Sequence, residues 1–239
     1  MKLVVVIPAY NAARHIAGVL ERVAKLRFCG LERVLVVDDG SHDGTAQLVE
    51  QTSGFGSLVE LVRRPKNGGY GAAMKDGLAA ARALGPDLVA CVHADGQYAP
   101  EALPGLITAL SQRQLDLLQG SRIASGTALS GGMPLYKYLA NAALNLLENH
   151  TLDLKLSDYH SGYLLYGPRA LRLPFERLSD SFDFDLEVIA SAKSRGLGVG
   201  EAPVPTHYGD EISHLNPFSY GLRVLRVLWN FRRGHYARA

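Results

Sequence analysis

Five short aliphatic runs, each followed by a turn and then by a helix-forming segment, restrict the fold open to this chain more than any other feature. Lys2–Ile7 is a β-branched run that Pro8 ends. Ile16, Val19, Leu20, Val23 and Leu26 then recur at helical spacing as one apolar stripe. The second run is Arg33–Val37, with a helix expected from about Thr45. The third is Leu58–Val62, after which a Gly-rich turn leads into an Ala-rich helix over Ala72–Leu84. The fourth is Asp87–Val92, with Pro100 placed to open the next helix, and Leu115–Gln119 is the fifth. Such alternation predicts an α/β fold with a doubly wound, mostly parallel sheet and right-handed crossovers.

The pattern changes after Arg122. Ala124–Pro134 is a Ser/Gly-rich loop without periodicity, followed by a helix over Leu135–Asn149 and a strand-like stretch, Ser161–Tyr166. A helix around Phe184–Ser194 and a last strand over Val199–Val204 complete this elaborated C-terminal half. The expected organisation is one domain over residues 1–211, followed by a basic amphipathic helix and tail over 212–239.

Composition narrows the class. With 47% hydrophobic and 20% charged residues, the chain has ample material for a core, which excludes a disordered or fibrous protein. No apolar run approaches the ~18 residues needed to cross a bilayer, and no signal peptide is expected. Cys29 and Cys91 fit no metal or redox spacing, which points to a reducing compartment and a cytoplasmic protein. The net charge of +2 divides unevenly. Beyond Glu211 lie Arg223, Arg226, Arg232, Arg233 and Arg238 with no acid, so the tail carries +5 and the body −3. That predicts a local anionic contact for the tail and no nucleic-acid partner, which would need a broader basic face.

Ligands of open α/β sheets bind beyond the carboxyl ends of the strands. There the chain places Pro8-Ala9-Tyr10-Asn11, Asp38-Asp39-Gly40-Ser41, His93-Ala94-Asp95-Gly96-Gln97 and Gly120-Ser121-Arg122. Each cluster also has a plainer reading. Asp38-Asp39-Gly40-Ser41 suits a turn with a helix cap. Asn67-Gly68-Gly69-Tyr70-Gly71 is either a connector or a set of amides offered to a phosphate at a helix start. It is not a dinucleotide fingerprint, because the third glycine is missing. His93, Asp95 and Gln97 offer an imidazole, a carboxylate and an amide oxygen. Mg2+ and Mn2+ favour such oxygen ligands and share substrate phosphates, while His93 equally suits a half-buried histidine at a strand end.

Assembled, these segments resemble the family 2 glycosyltransferases of GT-A fold, and most of all the branch that moves a sugar onto dolichyl or polyprenyl phosphate. The resemblance rests on Val5-Val6-Ile7-Pro8-Ala9-Tyr10-Asn11, Val37-Asp38-Asp39-Gly40-Ser41-His42-Asp43-Gly44-Thr45 and Asn67-Gly68-Gly69-Tyr70-Gly71-Ala72-Ala73. Ala94-Asp95-Gly96-Gln97, Gly120-Ser121-Arg122, Ser161-Gly162-Tyr163, Phe184-Asp185-Leu186-Glu187 and Glu201-Ala202-Pro203-Val204 continue it in order. It implies an inverting transferase for a mannose- or glucose-like hexose, with a GDP- or UDP-linked nucleotide-sugar donor and a polyprenyl-phosphate acceptor. Pro8, Tyr10 and Asn11 would line the nucleotide pocket, together with Gly68 and Gly71, and Asp38 and Asp39 would hold base and ribose. Asp95 and Gln97, with His93 beside them, would hold Mg2+ or Mn2+ on the donor diphosphate. Arg122 would face a phosphate of donor or acceptor, and Lys137 stands where relatives often place an arginine for the acceptor. This chain departs from its relatives at His93, where they carry an acid, at Ala12, where many carry Glu, and at Leu164, where a basic residue is frequent.

A phosphate acceptor is already ionised and needs no general base, whereas a sugar hydroxyl does. Asp183, Asp185 and Glu187 are the candidates. A helix would put Asp183 and Glu187 on one face, and a solvated acidic helix start explains them equally well. In the tail, Arg223, Arg226, Asn230 and Arg233 form a polar helical stripe, while Phe218, Leu222, Leu225, Leu228, Trp229 and Phe231 cover much of the rest. Such a helix lies in a membrane interface or packs on the body or a partner. Two other functions remain open at this point: a family 2 transferase with a glycan or other non-lipid acceptor, and a non-catalytic nucleotide-sugar-binding subunit.

Overall fold

A computed structural model describes residues 1–126, 128–129, 132–205 and 217–237. The side chains of Lys137 and Phe218, Arg238 as a whole and the 211/212 boundary lie outside the described residues. The first strand, β1, spans Leu3–Ala9, and its residues Leu3–Ile7 are wholly removed from solvent. Val4 and Val6 enter one core layer while Leu3, Val5 and Ile7 enter the other. A strand covered on both faces reads as an unbroken aliphatic run for this reason. Then follow α1 (Ile16–Ala24), β2 (Leu31–Asp38), α2 (Thr45–Gln51), β3 (Val59–Arg63), α3 (Tyr70–Ala83), β4 (Leu88–Cys91), α4 (Leu103–Gln112) and β5 (Leu117–Ser121). The second half comprises α5 (Leu135–Leu152), β6 (Leu164–Tyr166), α6 (Phe184–Ser194), β7 (Val199–Pro203) and α7 (Pro217–Arg232).

The strands form one seven-stranded sheet in the order β3-β2-β1-β4-β6-β5-β7. All pairings are parallel except those of β6, which runs antiparallel to both β4 and β5. The mostly parallel sheet expected from the alternation is therefore present. β6 separates β4 from β5, with Leu165 between Ala90 and Leu118. The strand-like stretch Ser161–Tyr166 contributes only its last three residues, and Ser161–Gly162–Tyr163 remains irregular backbone at the sheet's edge of the site. α7 is docked on the body: Val224, Val227 and Leu228 are buried in the same core layer as Leu186 and Ile189 of α6. Among the described residues no helix is long and apolar enough to cross a membrane.

Candidate active site

The loops after β1 and β2 are knitted into one another. Asn11, held at φ 49°, donates its amide to Ser41 Oγ (2.9 Å), and its Oδ1 accepts from the His42 amide (3.0 Å). The amides of Ala12 and Ala13 donate to Thr45 Oγ1 and Asp43 Oδ2. Asp38 Oδ1 accepts from the Ser41 amide at 3.3 Å, so the turn reading of this segment holds for Asp38. Pro8 is half-buried, and Tyr10 is exposed beside this network.

Asp39 is almost fully buried and is spent on the protein itself. Its carboxylate accepts the amides of Gly68 and Gly69, each at 2.9 Å, and pairs with Arg64, which also holds Asp76. The Ala72 amide donates to the Asp180 carbonyl. The expectation of glycine amides presented to a donor phosphate is thus corrected at Gly68: this amide is committed to an internal carboxylate. The glycines are required by close approach instead. A Cβ on Gly71 would lie 2.3 Å from the Ser179 carbonyl oxygen, and one on Gly69, at φ +100°, would lie 2.4 Å from that of Asp180. Sequence reasoning missed Arg64, whose only signal was its place just after the third strand.

The loop after β4 carries the chemistry at the centre of the sheet. Asp95 is partly exposed, and its Oδ1 accepts the Gln97 amide at 3.0 Å. His93 stacks edge-on against Tyr98, with ring centroids 5.1 Å apart, and lies 5.7 Å from the Tyr70 ring. Its Nε2 is buried without a partner and is walled in by Gly162, where a Cβ would come within 2.4 Å. Burial holds the imidazole below its ordinary pKa, with Arg122 pushing the same way and Asp95 opposing. Among the described residues no three His, Cys, Asp or Glu side chains converge as a metal site. A cation that takes most of its ligands from a diphosphate and water needs only one or two protein oxygens, and Asp95 with the Gln97 amide oxygen suits that demand.

Asp185 approaches Gly162 from the other side, its Oδ2 3.3 Å from where a Cβ would stand. It lies in an interior formed with Tyr70, Cys91 and Tyr166, and burial pushes its carboxyl up to about 7, partly offset by the Tyr70 hydroxyl. Its Oδ1 has no hydrogen-bond partner. The solvated acidic helix start is therefore corrected. Asp183 and Asp185 are buried, and Glu187 is half-buried with its pKa raised by burial. Asp183 and Glu187 do share a face, through Ser179: its hydroxyl donates to Asp183 (2.9 Å) and its amide to Glu187 (2.5 Å). Tyr236 donates to the other Glu187 oxygen at 2.7 Å.

Arg122 follows β5 directly and is gripped by Asp158, a carboxylate with no side-chain solvent exposure that sequence reasoning did not single out. Arg122 Nε and Nη2 donate to its two oxygens at 2.7 and 2.9 Å, and the Arg122 and His160 amides add two more bonds. Burial alone would raise the Asp158 pKa, but the guanidinium and these donors hold it below the ordinary value. His160 continues the network, with Nδ1 2.8 Å from the Tyr220 hydroxyl of α7 and Nε2 3.3 Å from Glu148 of α5. The structure thus gathers His93, Asp95, Gln97, Arg122 and Asp185 around the ends of β4 and β5. Asn11 and Asp38 join the 41–45 loop, Pro8 pairs with Val37 in the sheet, Tyr10 is exposed just after β1, Asp39 joins Gly68, and Glu187 is tied to Tyr236.

The chain is similar to known sugar transferases. Over 216 residues the chain is 27% identical to the UDP-N-acetylglucosamine–dolichyl-phosphate N-acetylglucosaminyltransferase of Methanococcus voltae, covering 85% of this chain and 84% of that one. It is 30% identical over 207 residues to the undecaprenyl-phosphate mannosyltransferase of Micrococcus luteus, covering 85% and 83%. Among solved structures, glucosyl-3-phosphoglycerate synthase from Mycobacterium tuberculosis, in complex with Mn2+, UDP and phosphoglyceric acid, aligns with a TM-score of 0.71 at 19% identity. That alignment covers 96% of this chain and 78% of the synthase, and shows that the fold is GT-A. The family profile described as glycosyl transferase family 2 matches residues 4–172, well over half the chain. The chain belongs to that family and is a hexosyltransferase.

Proposed function

We propose that the protein transfers a mannose- or glucose-like hexose, with inversion, from a GDP- or UDP-linked donor to a polyprenyl or dolichyl phosphate at the cytoplasmic face of a membrane. The observation that carries this reading is the Arg122 guanidinium, fixed by buried Asp158 beside the His93–Asp95 loop. A guanidinium locked by a carboxylate keeps its orientation without reorganising, which suits recognition of a phosphate. The names of the relatives from Methanococcus voltae and Micrococcus luteus support a lipid-phosphate acceptor.

The state of the acids favours a phosphate acceptor over a sugar hydroxyl. Asp185 is shut into an interior with Tyr70, Cys91 and Tyr166, and both Glu187 oxygens already accept hydrogen bonds. The first is enclosed and the second engaged, and an ionised phosphate oxygen asks for no base. Asp95 and the Gln97 amide oxygen would hold a divalent cation, which would supply positive charge to the donor diphosphate. His93, turned into Gly162, shapes the loop and is left out of the ligand set. Arg122 orients a phosphate oxygen, and its charge favours the transition state as negative charge redistributes. Tyr10, Asn11 and Asp38 border the donor nucleoside. Lys137 is proposed for the acceptor phosphate on resemblance alone.

The test supplies nucleotide sugars one at a time with polyprenyl phosphate and Mg2+ or Mn2+, following label into the lipid phase. One donor should label the lipid, and Asp95→Ala should lower the rate by at least about a hundredfold with unchanged circular dichroism. No labelled lipid with any donor, or full activity in Asp95→Ala, overturns the reading. Transfer to a soluble sugar alone would assign the enzyme to glycan extension.

A further inference from the structure

Helix α5 is built inside out. Leu135, Tyr136, Leu139 and Leu146 are between 59% and 74% exposed, while Asn145 and Glu148 are buried. Part of the inward face is met by polar contacts, while Asn145 Oδ1 and both Glu148 oxygens are buried without a hydrogen-bond partner. Asn149 exchanges two hydrogen bonds with the Leu156 backbone at 2.8 and 2.9 Å and accepts one from the Tyr159 hydroxyl. Asn145 donates to the Ser157 carbonyl. Burying a polar stripe while exposing leucines is the reverse of what water selects. α7 packs against α5 and, beyond its buried valines, leaves Leu222, Leu225 and Trp229 exposed at i, i+3 and i+7. Of the large hydrophobic side chains that are exposed among the described residues, most lie on these two helices, and single scattered ones would not cluster so.

We propose that α5, together with α7, seats the enzyme on an anionic lipid surface. The choice of occupant rests on charge. Residues 212–239 contain five arginines and no acid, Arg226, Arg232 and Arg233 are exposed, and the one acid of α5, Glu148, is buried. A second copy of the chain docked face to face would set these arginines against each other, whereas anionic headgroups neutralise them. Tyr136 and Trp229 have the amphipathic rings that settle at the headgroup level. The inference rests on the lipid-phosphate reading for its purpose. The polar face of α5 supports the 156–160 segment that holds Arg122, so seating α5 on the bilayer brings the proposed phosphate site to the surface where that acceptor resides.

Co-sedimentation of the full chain with vesicles lacking polyprenyl phosphate and donor tests the docking apart from the chemistry. Wild type should bind phosphatidylglycerol–phosphatidylcholine vesicles. Leu139→Gln with Leu146→Gln should weaken binding about 10- to 100-fold, and Arg226→Gln with Arg232→Gln and Arg233→Gln about a hundredfold on anionic vesicles only. Transfer to a short, water-soluble prenyl phosphate should be equal in wild type and the leucine variant. Loss of that transfer in both would count against the lipid-phosphate reading and leave the docking result standing. Equal vesicle binding by the leucine variant and wild type overturns the proposal. So does a wild-type dimer in sedimentation equilibrium that the same leucine substitutions dissociate, which would assign the face to a second copy.

Discussion

The buried Asp185 makes stability depend on pH in a direction opposite to that of most surface carboxylates. Its pKa rises from an ordinary 3.8 to about 7 because the charged form has lost its water and gained only the Tyr70 hydroxyl. Below pH 3.8 the carboxyl is neutral in both folded and unfolded chains and costs nothing. Between the two values the unfolded chain ionises first, so folding takes up a proton and stability falls as pH rises, levelling off above about 7. A rise of about three pH units corresponds to about 4 kcal/mol in all, and to about 3 kcal/mol between about pH 5 and about pH 8. Asp185→Asn keeps the shape and an acceptor for Tyr70 but cannot ionise. Urea unfolding of wild type and variant at several pH values gives the difference in unfolding free energy, in which pH-independent effects of the amide cancel from the slope. The variant should gain about 3 kcal/mol on wild type across that interval. Parallel curves would refute the reasoning, because they would mean that Asp185 titrates as an exposed acid and is not enclosed.

Two further outcomes follow from the packing. Asp158→Ala removes the carboxylate to which Arg122 Nε and Nη2 donate and the acceptor of two backbone amides, taking the counter-charge from a largely buried cation. Unfolding should become easier by about 3–5 kcal/mol in urea titration, and a loss below about 1 kcal/mol would mean that the pair is not formed in solution. Gly71→Ala puts a methyl 2.3 Å from the Ser179 carbonyl and 2.9 Å from Phe184 Cβ, both in well-packed surroundings. It should cost about 1–3 kcal/mol in thermal or urea unfolding although alanine is the better helix former, and a stabilised variant would show that the 179–181 segment is not seated there.

Much of the fold was legible because its signals are local. The aliphatic runs that became β1 to β5 are continuous since both faces are covered, and the starts of α2 at Thr45 and α6 at Phe184 follow from turn residues just before them. The direction of β6 was not legible: Leu164-Leu165-Tyr166 is uniformly buried, and three apolar residues carry no sign of parallel or antiparallel pairing. For the site, the strand-end rule pointed to His93, Asp95 and Arg122, which do meet around β4 and β5. The partner of Arg122 lies 36 residues away at Asp158, in a segment whose sequence looks like any polar loop. Asp39 shows the converse, since its residue type and position suit a ligand, yet its carboxylate already accepts from Gly68, Gly69 and Arg64.

α5 marks the boundary most sharply. Its sequence alone determined that residues near 135–149 form a helix, because periodicity is a property of the local chain. Which side faces the body was decided only when Ser157, Tyr159 and His160 arrived beside it, bringing the carbonyl, hydroxyl and imidazole groups that Asn145, Asn149 and Glu148 meet. A polar face can turn inward only where such partners are waiting, and their arrival depends on contacts between segments far apart in the chain.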